Sequence, residues 1–161
     1  MKVLLVSTSP QVSVAVRSAV ATAGVQMAEV AAPERALAIL DAGERPDIVI
    51  ADNDTWPTGG FALSREIKAR ARMGGDMPPV LLLLAREADR WLARWSQADA
   101  HVLKPADPFD LAEVVDALVS GRPVPQLPGV GAAEPVESAA VPDSHGMDDM
   151  EVAGGMTGGG P

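Results

Sequence analysis

Along the first 120 residues, short apolar runs alternate with stretches in which apolar side chains recur every three or four positions, a rhythm that predicts strand and helix in turn. Lys2 to Val6 is the first such run. Ser9-Pro10 supplies an N-cap and a proline at the first helical position. Val12, Ala15, Val16, Ala19, Val20 and Ala23 then share one helix face, which Gly24 stops. Gln26 to Val30 predicts a second strand, and Pro33 to Asp41 a helix closed by Gly43. Asp47 to Ala51 is a buried strand ending at Asp52, with a Pro/Gly loop from Asn53 to Gly60 before a helix that begins near Phe61. Pro79 to Leu84 is the most hydrophobic segment, as the centre of a sheet covered on both faces requires. Arg86 to Ala98 reads as helix and His101 to Leu103 as a short strand. Asp107-Pro108 caps a last helix whose apolar face is Leu111, Val114, Val115 and Leu118.

Five strand–helix units joined by right-handed crossovers make a parallel sheet with helices on both faces. The binding crevice of such a sheet lies at the carboxyl ends of its strands. Ser7, Asp52 and Lys104 all fall there.

At Gly121-Arg122-Pro123 the composition changes. Residues 122–161 hold 8 Gly, 6 Pro, six acidic side chains, one Arg and no aromatic residue. Such a stretch buries too little apolar surface to offset its ordering entropy. The division expected is therefore a domain over 1–121 and a Gly/Pro-rich acidic tail over 122–161, disordered unless a partner holds it. Within the tail, Met147-Asp148-Asp149-Met150-Glu151-Val152 has the apolar–acidic character of a docking segment as well as that of a solubilising one.

The formal net charge of -9 disfavours nucleic acid, whose affinity for proteins comes largely from Lys and Arg. The absence of Cys removes disulfides and thiolate metal sites and favours a reducing compartment. The longest apolar run is far too short to span a bilayer. The expectation is a cytoplasmic protein, at most peripheral to the inner face of the cell membrane through a protein complex.

On this pattern the sequence resembles the receiver domain of two-component response regulators, a flavodoxin-like or CheY-like sheet of strand order 2-1-3-4-5. Asp52 ends the third strand with Gly60 and Phe61 eight and nine places on, Pro79-Val80 opens the fourth, and Lys104-Pro105 ends the fifth. The resemblance implies that Asp52 is the phosphoacceptor position and Lys104 the site lysine. It also exposes departures. Receivers hold Mg²⁺ on two adjacent acidic residues after the first strand, and here those positions are Ser7 and Thr8. Neutral hydroxyls replace carboxylates poorly for that ion, leaving Asp52 and Asp54 as its weak holders. The hydroxyl switch position is Leu84 and the aromatic one is His101. Read without the resemblance, Asp52 and Lys104 are what a structural ion pair gives, and His101 a packed or half-solvated imidazole.

Pro57-Thr58-Gly59-Gly60, Trp91-Leu92-Ala93-Arg94-Trp95-Ser96 and Pro105-Ala106-Asp107-Pro108 are further similar to small stand-alone atypical receivers of actinobacteria associated with the respiratory NADH:quinone oxidoreductase, complex I. That implies a peripheral role on that enzyme. Trp91 and Trp95, four apart on one helix, share a face, and Trp is favoured at interfaces. With Leu92 and Ala98 also needing burial, at least one Trp is expected inside. The fourth helix, fifth strand and fifth helix form the output surface of ordinary receivers, so a partner contact is expected there.

The residues are compatible with three functions. One is a non-catalytic pseudo-receiver that binds a protein partner, with complex I subunits the partner implied. Another is a phosphorylatable single-domain regulator that uses Asp52 and Lys104 with a histidine kinase. The last is a flavin-binding protein in which Ser7-Thr8-Ser9 cradles a phosphate and Trp56 covers the ring, a reading that Pro10 and a loop without glycine oppose. No Cys nucleophile, P-loop, serine-hydrolase elbow or His cluster is present, so neither turnover nor a cofactor is expected.

Overall fold

The computed structural model describes residues 1–22 and 24–133. The strands are β1 (Lys2–Val6), β2 (Gln26–Val30), β3 (Ile48–Asp52), β4 (Val80–Leu84), β5 (Ala100–Leu103) and β6 (Val130–Ala132). The helices are α1 (Pro10–Ala19), α2 (Pro33–Asp41), α3 (Gly59–Arg72), α4 (Arg90–Trp95) and α5 (Pro108–Val119). The sheet order is β2-β1-β3-β4-β5-β6. The first five strands are mutually parallel, in the expected order 2-1-3-4-5.

Two apolar layers explain why β3 and β4 are buried at every position. Val3, Leu5, Ile48, Ile50, Leu81 and Leu83 point to the face covered by α1 and α5, where Val16, Leu111 and Val114 close the layer. Leu4, Val6, Val49, Ala51, Leu82 and Leu84 point the other way, against Leu40, Leu63, Ile67 and Ala93 of α2, α3 and α4. The period of two along each strand therefore feeds both layers. Capping fixes the helix starts nearest the crevice. Val12 N donates to Ser9 Oγ at 3.3 Å, and Phe109 N donates to Asp107 Oδ1 at 2.8 Å. Gly60 lets the start of α3 pack closely on the sheet: a Cβ there would stand 3.1 Å from Ala51 O, Ala51 Cβ and Leu82 Cδ2, so those neighbours would have to give by a few tenths of an ångström.

The structure corrects the expected boundary after residue 121. Residues 122–133 are ordered against the domain, and β6 pairs antiparallel with β5, opposing Val130 to Val102, Gly131 to His101 and Ala132 to Ala100. Composition hides this because a short edge strand needs little apolar surface. Its hydrogen bonds are with β5 and the turn before it, Leu103 N donating to Gly129 O and Ala133 N to Asp99 O, both at 2.8 Å. Only Val124 and Val130 of this segment pack on the core. Ala23 and the 134–161 part of the expected tail, including Met147 to Val152, lie outside the described residues.

Helix α4 is also shorter than expected. A 3-10 turn at Glu87–Asp89 precedes it, and it has six residues. Ala93, with Ala98 just beyond the helix, faces the sheet, so both Trp91 and Trp95 point outward, at 61% and 49% exposure. The expectation that at least one Trp is inside is overturned. Small residues fill the only inward positions that so short a helix offers.

Candidate functional site

The carboxyl ends of β1, β3 and β5 bring Ser7, Asp52 and Lys104 together. Asp52 is buried, and both of its oxygens are taken. Ser7 Oγ donates to Asp52 Oδ2 at 2.9 Å, while Lys104 Nζ donates to Oδ1 at 2.7 Å. Asp54 N adds a hydrogen bond to Oδ1 at 3.1 Å. Lys104 Nζ also donates to Asp54 Oδ2 at 2.7 Å, a contact that sequence reading missed because it assigned Asp54 to a metal. Burial works to lower the Lys104 pKa, but hydrogen bonds and charge from Asp52 and Asp54 outweigh it and leave the ammonium more firmly protonated than an ordinary lysine.

This donor set does not fit the Mg²⁺ that receivers hold. Mg²⁺ prefers carboxylate oxygens and keeps several waters. Here the two available carboxylates are already bridged by an ammonium, and Ser7 spends its hydroxyl proton on Asp52 and accepts from Ser9 N at 3.0 Å. Thr8 is exposed. Among the described residues there is no group of three or more His, Asp or Glu placed to hold a metal.

Leu84 and His101, where the resemblance places the two switch residues, are both buried. Leu84 is fully buried in the layer under α2, α3 and α4. His101 is 7% exposed, and its Nε2 is buried without a hydrogen-bond partner. Burial pushes its pKa below the usual histidine value, and the charges of Arg90 and Arg94 on α4 push the same way. Gly131 of β6 lies directly on the imidazole: a Cβ there would stand 2.1 Å from His101 Cε1. Gly131 carries no signal of this role in the sequence, where it is one glycine in a Gly/Pro-rich stretch.

Around this centre, Trp56 and Phe109 project from the β3–α3 loop and the first turn of α5, each 82% exposed. The flavin reading gains nothing from either end. Trp56 stands in the open, and Ser7 and Ser9 use their hydroxyls inside the protein. A groove of about 560 Å³ between α1 and the β5–α5 loop opens beside the site, with Val14, Ala15, Asp54, Lys104 and Pro105 among its walls. The Arg65 guanidinium of α3 lies 3.7 Å above the Trp95 ring of α4, and Phe61 of α3 packs beside that ring at 5.9 Å between centroids.

No protein-family model matches the chain. An uncharacterized response regulatory protein of Mycobacterium tuberculosis is 38% identical over 73 residues, which is 45% of this chain and 53% of that protein. The chain thus spans about half the length of the curated relatives it matches. Among solved structures, the receiver domain of a histidine kinase from Syntrophus aciditrophicus is 27% identical with a TM-score of 0.64, covering 78% of this chain and 94% of that one. A LuxR-family response regulator from Aurantimonas is 26% identical with a TM-score of 0.62, covering 75% and 86%. A chemotaxis response regulator of Vibrio cholerae, at 22% identity and a TM-score of 0.61, shares the fold.

Proposed function

Starting from a domain of the response-regulator receiver type, we propose that this chain is a pseudo-receiver: a non-catalytic protein-binding module whose aspartate site is held in one state. The observation that carries this reading is at the acidic-pair position: Ser7 donates its hydroxyl to Asp52 Oδ2 at 2.9 Å and Thr8 is exposed, so no carboxylate joins Asp52 and Asp54, which Lys104 bridges at 2.7 Å. Leu84 and His101 then offer neither a hydroxyl to a phosphoryl group nor an exposed ring to report on it. The proposed contact surface is the α4 face that carries Trp91 and Trp95, since indoles bury large area at small entropic cost.

The partner proposed is complex I, reached from the cytoplasmic side. The support is the similarity to actinobacterial stand-alone receivers, together with curated relatives that come from an actinobacterium. Capture of the tagged chain from gently solubilised native membranes, with mass spectrometry of the bound proteins, tests this reading. Recovery of complex I subunits by the natural chain and their loss with Trp91→Ala/Trp95→Ala is the expected result. Equal recovery by both chains removes the α4 face, and recovery of a histidine kinase instead removes the pseudo-receiver reading.

The pairing of Asp52 with Lys104 keeps a second reading in play, phosphorylation of Asp52 by a histidine kinase. It requires a gain of one phosphoryl mass with a small phosphodonor and Mg²⁺ that Asp52→Asn abolishes. No gain is expected.

A further inference from the structure

Strand β6 runs back along β5, and the hydrogen bond just beyond it, Ala133 N to Asp99 O, sets the backbone down beside the turn between α4 and β5. That turn borders the most basic part of the molecule. Seven of the 13 lysines and arginines fall between residues 61 and 99, against five acidic side chains. Lys68 reaches Asp99 and Arg72 reaches Gln97, so α3 presents its cations to the turn itself. Arg65 lies over Trp95, and Arg90 and Arg94 flank the two indoles on α4. A half-exposed apolar pair is thus framed by guanidinium groups, of which Arg90 also bridges the exposed Glu87 at 3.4 Å, in a chain whose net charge is -9.

The sequence beyond Ala133 is the chemical complement of that face. Residues 134–161 carry six acidic side chains and no Lys or Arg. Their densest acidic run, Asp148, Asp149 and Glu151, is interleaved with Met147, Met150 and Val152. Carboxylates suit guanidinium, and thioethers make favourable contacts with aromatic rings.

We propose that the acidic segment 134–161 docks on the α3–α4 face of its own chain, with its carboxylates on the arginines around Trp91 and Trp95 and its methionines against the indoles. The tether is long enough. Ala133 N is bonded to Asp99 O, and the four residues from Asp99 back to Trp95 span at most about 15 Å, whereas an extended chain from Glu134 to Met147 reaches roughly 40 Å. Because the segment is tethered, its effective concentration is of order millimolar, so even a weak contact is populated. A partner for this face must then displace the segment, and partner binding becomes a competition between two ligands of one surface. This inference does not depend on which protein the partner is.

The test monitors the three indole N–H resonances of the full-length ¹⁵N-labelled chain. One sample carries the natural segment. The other has Glu134→Gln, Glu137→Gln, Asp143→Asn, Asp148→Asn, Asp149→Asn and Glu151→Gln, which leave residues 1–133 unchanged. The expected result is that the Trp91 and Trp95 peaks move severalfold more than that of Trp56, and that 1 M salt, which shortens screening to about 3 Å, moves the natural chain toward the variant. Unmoved Trp91 and Trp95 peaks overturn the proposal, as does a uniform movement of all three. A shift that grows with protein concentration also overturns it, because the occupant is then the segment of a second copy.

Discussion

Replacing Gly131 by Ala tests whether β6 and His101 form one packed unit. The added methyl would stand 2.1 Å from His101 Cε1, 2.6 Å from Nε2 and 2.9 Å from Nδ1, closer than any real contact. Either the imidazole leaves its buried position or β6 leaves the edge of β5. Forcing one extra methyl into a packed site costs roughly 1–3 kcal/mol. If β6 leaves, the bonds from Leu103 N and Ala133 N go with it, at a net ~1 kcal/mol each. The two routes predict the same loss of about 1–3 kcal/mol by urea denaturation, and hydrogen exchange separates them. Departure of β6 speeds exchange at Leu103 and Ala133 selectively, while departure of the ring leaves those amides protected and returns the His101 pKa toward ~6.5. Natural stability with natural exchange in Gly131→Ala refutes the packing of β6 on the imidazole.

Three further outcomes are expected. The folded state binds a proton at His101 less readily than the unfolded chain, so its stability is complete above about pH 6.5 and declines below it, by at most ~1.4 kcal/mol per unit until the folded pKa is passed; the slope of unfolding free energy against pH should flatten in His101→Gln. Lys104→Met leaves Asp52 buried with only Ser7 and a backbone N–H. It should cost about 2–3 kcal/mol by denaturation, less than the roughly 3–5 of a fully buried pair, because Asp54 is 56% exposed and water screens its share; adding Asp52→Asn should restore part of the loss. Asp107→Ala removes the side chain that accepts from Phe109 N and Asp110 N and should lower stability by about 1 kcal/mol, with faster exchange confined to the first turn of α5.

The sheet is legible in the sequence because its strands are read by burial. Val80 to Leu84 has no polar position on either face, and the helix starts at Pro10 and Pro108 carry their own capping residues. Residues 130–132 are illegible for the opposite reason. Their place depends on backbone hydrogen bonds to a partner strand and on a glycine suited to the ring it faces, and neither leaves a periodic trace. At the site, Ser7, Asp52 and Lys104 can be brought together by position at strand ends alone. The bridge from Lys104 to Asp54 cannot, because Asp54 lies in a loop whose path is set by tertiary packing. The outward turn of Trp91 and Trp95 escapes sequence reading for a related reason: an indole has far more apolar area to bury than an alanine methyl, but the helix is so short that steric room decides.

The antiparallel pairing of β6 with β5 also bears on how the chain behaves at high concentration. β5 is buried along most of its length. Bared, its outer margin would offer unpaired N–H and C=O groups beside apolar side chains, a template on which other chains can add strands and grow into aggregates. A short hem with a glycine at its centre closes that template and offers little surface for the next strand. Truncation at residue 121 is therefore expected to make the chain self-associate through its sheet.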